Sequence, residues 1–431
     1  MASPAEDLST VILQPSFSAQ PSFSPQAQPF RHVAVVGAGY VGLPMALHLA
    51  STGVQVTAVD VNQAVVREIN NRTSKVEEKE DFEKFFNNPM VQLHLSARTV
   101  PVEADAFIVA VPTPIHRDKS PDITAVIAAT ESIVPYLRPG NLVVIESTIP
   151  VHTTEKVVQP ILEKSGYRVG RELLLAHCPE RILPGNIMAE AVFNARIIGG
   201  VDKASTDRAV QLYSMFVKGK LLTTDARTAE FVKLIENASR DVSVAFANQV
   251  AILCRYFGIN VTKAIELANH HPRIQILDPG IGVGGHCIPI DPWFLVHSNP
   301  ELTGLIQAAR TLNDNMPEYT VNRIMKEVEG TKDARVVCLG ASYKANVKDL
   351  RESPALEVFE LLKHRAVKAE LYDPLIPQYA CDSVLSVARG ADVLAILTPH
   401  DLIVTEIRYR KHQILGAMRQ PKILTFNTLV L

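Results

Sequence analysis

Five cysteines in 431 residues are too few and too scattered to staple a chain of this length. No Cys-x-x-Cys pair occurs, so neither a disulfide scaffold nor a structural zinc site is indicated, and a reducing compartment fits. His270, His271 and His286 form no His-x-x-x-His pair, and no metal is expected. Also missing is any run of about 18 uncharged apolar residues, which a transmembrane helix needs. A basic start followed by an apolar stretch, the mark of a secretory signal, is missing too. Neither sign of charge is in excess: 43 Lys and Arg against 45 Asp and Glu leave a net charge of -2. That balance argues against nucleic-acid and membrane partners. The expectation is a cytoplasmic globular protein, 47% apolar and 20% charged, too long for one core and therefore built of two or three domains.

Residues 1–30, rich in Pro, Ser, Gln and Ala, read as a disordered tail. The first ordered segment runs from a strand, His32 to Val36, into Gly37-x-Gly39-x-x-Gly42, a helix to about Ser51 and a second strand ending at Asp60. Strand, glycines, helix and acidic residue arrive in the order and spacing of a dinucleotide site. Gly37 serves the tight turn, Gly39 admits a pyrophosphate to the helix N-terminus, Gly42 permits close helix packing, and Tyr40 and Val41 complete the turn. Asp60 suits the ribose hydroxyls and repels a 2′-phosphate, so the expected cofactor is NAD. Later strands end at Thr113, at Thr148 and at Cys178-Pro179-Glu180-Arg181, positions where a doubly wound sheet holds its ligands. Glu180 is a candidate acid, base or anchor there.

From Thr228 to Phe257 the pattern is a long helix without proline or glycine. Lys233 and Asn237 share one face, with Glu230 and Asp241 extending the stripe, as a cleft wall requires. A second long helix is expected at Leu302–Val328, interrupted near Pro317. The last hundred residues return to an α/β pattern whose turn, LGASYK, lacks the complete glycine fingerprint. The following loop carries Lys344 and Arg351, two cations suited to a phosphate-bearing ligand. The expected division is 1–30 tail, 31–210 NAD-binding domain, 211–328 central helical domain and 329–431 C-terminal domain. The fold class is α/β, two Rossmann-like doubly wound domains joined by a helical one.

DPGIGVGGHCIPIDPW, residues 278–293, sets Cys287 between a glycine run and Asp291. Glycines such as Gly284 let backbone approach a ligand closely, and a cysteine opening a helical turn is a plausible nucleophile. A nearby ammonium is expected to lower its pKa. Cys178, Cys254, Cys338 and Cys381 read instead as small buried hydrophobes.

Over residues 31–427 the chain resembles the UDP-glucose/GDP-mannose dehydrogenase family, on the strength of CPERILPG, HPRIQILDPGIGVGGHCIPIDPWFLV and KANVKDLRESPA. The resemblance implies NAD-dependent oxidation of the C6 alcohol of a UDP-sugar to the carboxylate. UDP-N-acetylmannosamine is the first expectation, with UDP-N-acetylglucosamine and UDP-glucose as alternatives. It places the nucleophile on Cys287, an acid/base on Asp291 and oxyanion donors on Lys233 and Asn237. Glu180 and Thr148 would handle the hydrolytic water, and Arg181 and Gly284 would contact substrate. Lys344 and Arg351 would serve the nucleotide-sugar side or the cofactor, and subunits would dimerise through the helical domain, with Arg273 reaching the neighbouring site. Three features depart from the family: His152 stands where glycine is usual, Thr425 where a strand end bears Asp, and the tail has no counterpart.

Overall fold

The computed structural model describes residues 29–74, 79–88, 93–182 and 186–429. Most of the predicted tail, and Leu183-Pro184-Gly185, lie outside these. Phe30, assigned to the tail, is instead a core residue, with the Arg208 guanidinium 3.7 Å above its ring. Eight strands form the first sheet: β1 His32–Val36, β2 Gln55–Val59, β3 Leu95–Arg98, β4 Ala106–Val109, β5 Leu142–Ile145, β6 Leu174–His177, β7 Arg196–Gly200 and β8 Leu221–Asp225. Their order is β3-β2-β1-β4-β5-β6-β7-β8, parallel throughout except where β6 meets β7. Val33 and Val35 of β1 face a core with Met45 and Leu49; Ala34 and Val36 face another with Val126, Ile133 and Leu162. Apolar residues on both faces are what a sheet covered by helices on both sides requires. The sheet runs past the expected boundary at 210, because β8 pairs with β7 in register from Arg196↔Leu221 to Gly200↔Asp225.

Asp225 ends β8 and accepts the Thr228 N–H at 2.9 Å, capping the long helix Ala226–Phe257. This helix packs on the helix Gly304–Glu327. Between them Arg310 is almost wholly buried against Asp241 at 2.5 Å, and Asn313 donates to the same carboxylate oxygen at 2.8 Å. Asp241 is thus a structural charge rather than part of the cleft wall. The second helix is not interrupted at Pro317, which sits within it. Proline offers no N–H to the carbonyl four residues earlier, here Asn313, and Gly282 closes on that carbonyl: a Cβ there would lie 3.2 Å from it.

The second sheet is smaller and all parallel, in the order β10-β9-β11-β12: β9 Arg335–Leu339, β10 Lys368–Tyr372, β11 Val393–Ile396 and β12 Lys422–Thr425. Cys178, Cys254 and Cys338 are buried as expected, whereas Cys381 is exposed. Among the described residues no helix is long and apolar enough to cross a membrane.

Candidate active site

The glycine turn after β1 is shaped for a dinucleotide. Gly37 has φ +92°, and a Cβ there would fall 2.3 Å from the Ala110 carbonyl oxygen; at Gly42 it would fall 1.8 Å from that of Gly37. A Cβ at Gly39 would meet nothing within 4 Å, so the start of the helix Gly42–Ser51 has open space beside it for a pyrophosphate. Asp60, half-buried at the end of β2, accepts the Ala38 N–H at 3.0 Å and the Asn62 N–H at 2.8 Å. Its position beside the turn fits a ribose. Thr113 and Thr148, both half-buried, follow β4 and β5 on the same edge.

Cys287 stands at the last bend before the helix Asp291–Ser298. Its carbonyl accepts the N–H groups of Ile290 (3.1 Å) and Asp291 (2.8 Å), and Pro292 starts the helix without needing a partner. Asn237 on the long helix donates to Asp291 Oδ2 at 2.5 Å, which leaves one amide N–H of the expected oxyanion donor for another ligand. Lys233, one turn earlier and buried, acts electrostatically on both Asp291 and Cys287, as Glu180 does on Cys287. Burial pushes the Asp291 carboxyl up to about 6, against the pull of Lys233 and the Asn237 hydrogen bond.

The expected low-pKa thiolate is not present. Burial, with Asp291 adding to it and Lys233 opposing, pushes the Cys287 thiol up to about 12. Desolvation of the charged form outweighs one ammonium. A neighbour missed from sequence is His286, considered there only as a metal ligand. Its Nδ1 lies 2.9 Å from Cys287 Sγ, and its ring meets Tyr40 of the glycine turn edge-on at 6.0 Å. The signal was adjacency to the cysteine.

Other expected contacts are placed differently. Gly284 is a packing glycine: a Cβ would lie 2.5 Å from the Glu352 carbonyl oxygen and 2.6 Å from Tyr343 Cβ, so the C-terminal loop lies on the cysteine stretch. Arg351 is held by Asp349 at 2.6 Å, which offsets its charge, while Lys344 is exposed at the rim of a cavity shared with Gly280, Thr398 and Phe426. Arg181 pairs with Glu236 at 2.6 Å. Glu180 is buried, and one of its oxygens accepts the Ile182 N–H at 2.5 Å. Arg273 is exposed and takes no part in the cluster of its own chain. Thr425 is half-buried, ending β12.

His152 occupies a left-handed conformation, φ +76°, in which a side chain costs roughly 1–2 kcal/mol. Glu230, counted with the cleft face from sequence, holds it there by accepting the N–H groups of His152 (2.6 Å) and Thr154 (2.7 Å). Sequence reasoning also missed the buried set behind Thr148, where Arg196 and Tyr213 each donate to Glu146 at 2.8 Å. Charges inside apolar strands were the available sign.

Comparison with known proteins matches three models of one family end to end: its NAD binding domain at residues 31–217, its central domain at 227–315 and its UDP binding domain at 337–426. A relative from Methanococcus maripaludis, a UDP-N-acetyl-D-mannosamine dehydrogenase, is 43% identical over 383 residues, 87% of each chain. A Ralstonia solanacearum relative, an NDP-N-acetyl-D-galactosaminuronic acid dehydrogenase, is 41% identical over 93% of this chain and 96% of its own. The solved UDP-D-ManNAc dehydrogenase of Pyrococcus horikoshii superposes with TM-score 0.85 at 37% identity, covering 93% of this chain and 96% of that one. The chain therefore belongs to the UDP-glucose/GDP-mannose dehydrogenase family, and is an NAD-dependent nucleotide-sugar dehydrogenase.

Proposed function

We propose that the protein oxidises the C6 alcohol of UDP-N-acetyl-D-mannosamine to the carboxylate, using two NAD per sugar and a thioester on Cys287. The observation that carries this reading is the convergence of Cys287, Asp291, Asn237 and Lys233 across the helix Asp291–Ser298 and the long helix. The names of the Methanococcus and Pyrococcus relatives support the sugar. NAD, bound at the Gly37–Gly42 turn beside Asp60, Tyr40, Val41, Thr113 and Thr148, supplies the hydride acceptor.

Asp291, with its carboxyl near 6, is charged at neutral pH yet basic enough to take the alcohol proton as C6 becomes an aldehyde. Sulfur of Cys287 then adds to that aldehyde, giving a tetrahedral adduct from which a second oxidation leaves the thioester. Lys233 and the free amide N–H of Asn237 face the oxygen that becomes negative; one such donor is typically worth about 3 kcal/mol. Glu180, with Thr148, positions the water that releases the acid. Lys344 and Arg351 serve the nucleotide side, with Arg181 and Gly284 framing the sugar end. On the central helices Phe246, Tyr256, Phe257 and Leu267 are exposed, an apolar face suited to a second copy of the chain. We assign it to a homodimer in which Arg273 reaches the partner's site. The domain division follows the two sheets and the helices between them. Five unpaired cysteines fit the reducing cytoplasm.

The test is NADH yield with UDP-N-acetylmannosamine, UDP-N-acetylglucosamine and UDP-glucose in parallel. Two NADH per molecule of the first sugar, with Cys287→Ala forming no acid, is expected. One NADH per sugar, or wild-type acid production by Cys287→Ala, sinks the thioester; a faster turnover of either other sugar replaces the substrate.

A further inference from the structure

The cysteine stretch contains a second group able to act on the sulfur. A thiol pushed up to about 12 is protonated at neutral pH, and a protonated thiol adds poorly to a carbonyl. Some group must take its proton as the carbon–sulfur bond forms. Asp291 acts on Cys287 as a charge that disfavours the thiolate. Lys233 carries no lone pair while it is charged. His286 Nδ1, 2.9 Å from Sγ, is the acceptor in contact.

From these contacts we propose that His286 is a catalytic base for Cys287, accepting the thiol proton at Nδ1 as sulfur attacks the aldehyde and returning it when the thioester is hydrolysed. The inference rests on the thioester reading above. The ring is set for this on each side. Tyr40 of the cofactor turn meets it edge-on, Arg351 and Asp349 approach from the C-terminal loop, and Lys233 from the long helix. Burial, joined by Arg351 and Lys233 and opposed by Asp349, holds the imidazole below its ordinary pKa, so it is neutral at pH 7 and free to accept. With Nδ1 accepting, the ring's own proton sits on Nε2.

The step balances. The sulfur lone pair forms the bond to C6, the carbonyl π pair moves to oxygen, and the S–H proton passes to Nδ1. The oxyanion collapses to the thioester as C6 loses its hydride to the NAD that the dehydrogenase activity consumes. Water then adds to the thioester carbonyl and gives a proton to Glu180 or Asp291. The carbon–sulfur bond breaks, and sulfur recovers the proton from the imidazolium. Thiol and neutral imidazole are restored. Placement next to the nucleophile holds the base within hydrogen-bond reach of sulfur.

The test uses the full chain and follows iodoacetamide labelling of the Cys287 peptide by mass across pH 5–10, which separates it from the exposed Cys381. In the wild type the labelling rate should level off above the imidazole's titration. In His286→Ala the rate at pH 7 should fall at least about tenfold and climb about tenfold per pH step through pH 9. Added imidazole should restore it, which a purely structural residue would not allow. His286→Gln, which keeps a polar side chain of similar reach, checks the result if the alanine variant folds poorly. With UDP-N-acetylmannosamine, the second NADH should slow by about 10²-fold or more. A labelling profile of His286→Ala that matches the wild type, or a variant defect that imidazole leaves untouched, overturns the role of His286 alone. Acid formation by Cys287→Ala overturns the thioester and this inference together.

Discussion

The two sheets begin with nearly the same turn and put it to different uses. Gly37 has φ +92° and Gly340 φ +89°. A Cβ at either would lie 2.3 Å from the carbonyl oxygen at the exit of the neighbouring strand, Ala110 in one and Thr398 in the other. Both glycines donate their N–H across to the next strand at 2.8 Å, to Val59 and to Tyr372. Both are followed by an alanine whose N–H goes to an aspartate, Ala38 to Asp60 and Ala341 to Asp373. Beyond that point they part. Asp60 is half-buried beside an open helix start, whereas Asp373 is wholly buried and takes a 2.9 Å hydrogen bond from His400, whose other nitrogen accepts the Asn346 N–H. In the first domain the carboxylate remains available to a ligand. In the second it is satisfied by protein, and the loop it helps hold carries Lys344.

The largest effects should come from the glycines. Gly37→Ala and Gly340→Ala each force a Cβ into backbone and a disfavoured φ, and each should cost about 3 kcal/mol or more by calorimetry. Only Gly37→Ala should also abolish NAD binding. A Gly340→Ala protein as stable as wild type would break the equivalence of the two turns. Next come the aspartates. Asp373→Asn sets an amide N–H against the donors of His400, Ala341 and Leu375 and should lose about 3 kcal/mol of stability with NAD affinity intact. Asp60→Asn should keep stability within about 1 kcal/mol and weaken NAD roughly tenfold in titration calorimetry. Loss of stability in both would show that the first carboxylate is structural as well.

Smaller and opposite in sign is the effect expected at Asp291, in the helical span between the two sheets. Asp291 has a raised folded pKa, so burying its charge lowers stability as pH rises from the unfolded carboxyl range to about 6, above which the loss is complete and constant. Asp291→Asn should therefore gain on the order of 1 to 3 kcal/mol at pH 7, with no gain at pH 4, while oxidation is lost. Asp373 runs the other way. Burial raises it, but hydrogen bonds from His400, Ala341 and Leu375 win and hold it below the ordinary range, so its contribution is present at neutral pH and disappears as pH falls through its folded value. Stability curves of the two asparagine variants should depart from the wild type in opposite senses as pH rises from acid to neutral; parallel curves would remove this contrast.

Much of this was legible in the chain. The turn at Gly37 and the acidic end of β2 are short-range features, since a glycine-dependent φ and a strand's apolar alternation act over a few residues. Cys287 announced itself because glycines and prolines do not flank a core cysteine. The strand β8 was missed because LLTTD is short and polar at its end, and only pairing with β7 makes it a strand. Pro317 was read as a break because the local rule says so; the Asn313 carbonyl that the proline cannot bond has Gly282, far away in sequence, packed closely against it. Arg351 looked like a free cation until folding set Asp349 against it.

Sequence alone determined the two Rossmann-like halves, the helical span between them and the cofactor turn, and set Cys287 apart from the other four cysteines. Each rests on a period, a spacing or a backbone conformation contained within a few dozen residues. Tertiary structure alone decided which charges are satisfied and which remain open. It made Asp373 a structural carboxylate and left Asp60 for a ligand, raised Asp291 and Cys287, and set His286 against the sulfur. Those outcomes depend on desolvation and on neighbours brought together from distant parts of the chain, and the cost of removing a charge from water is a property of the folded surroundings.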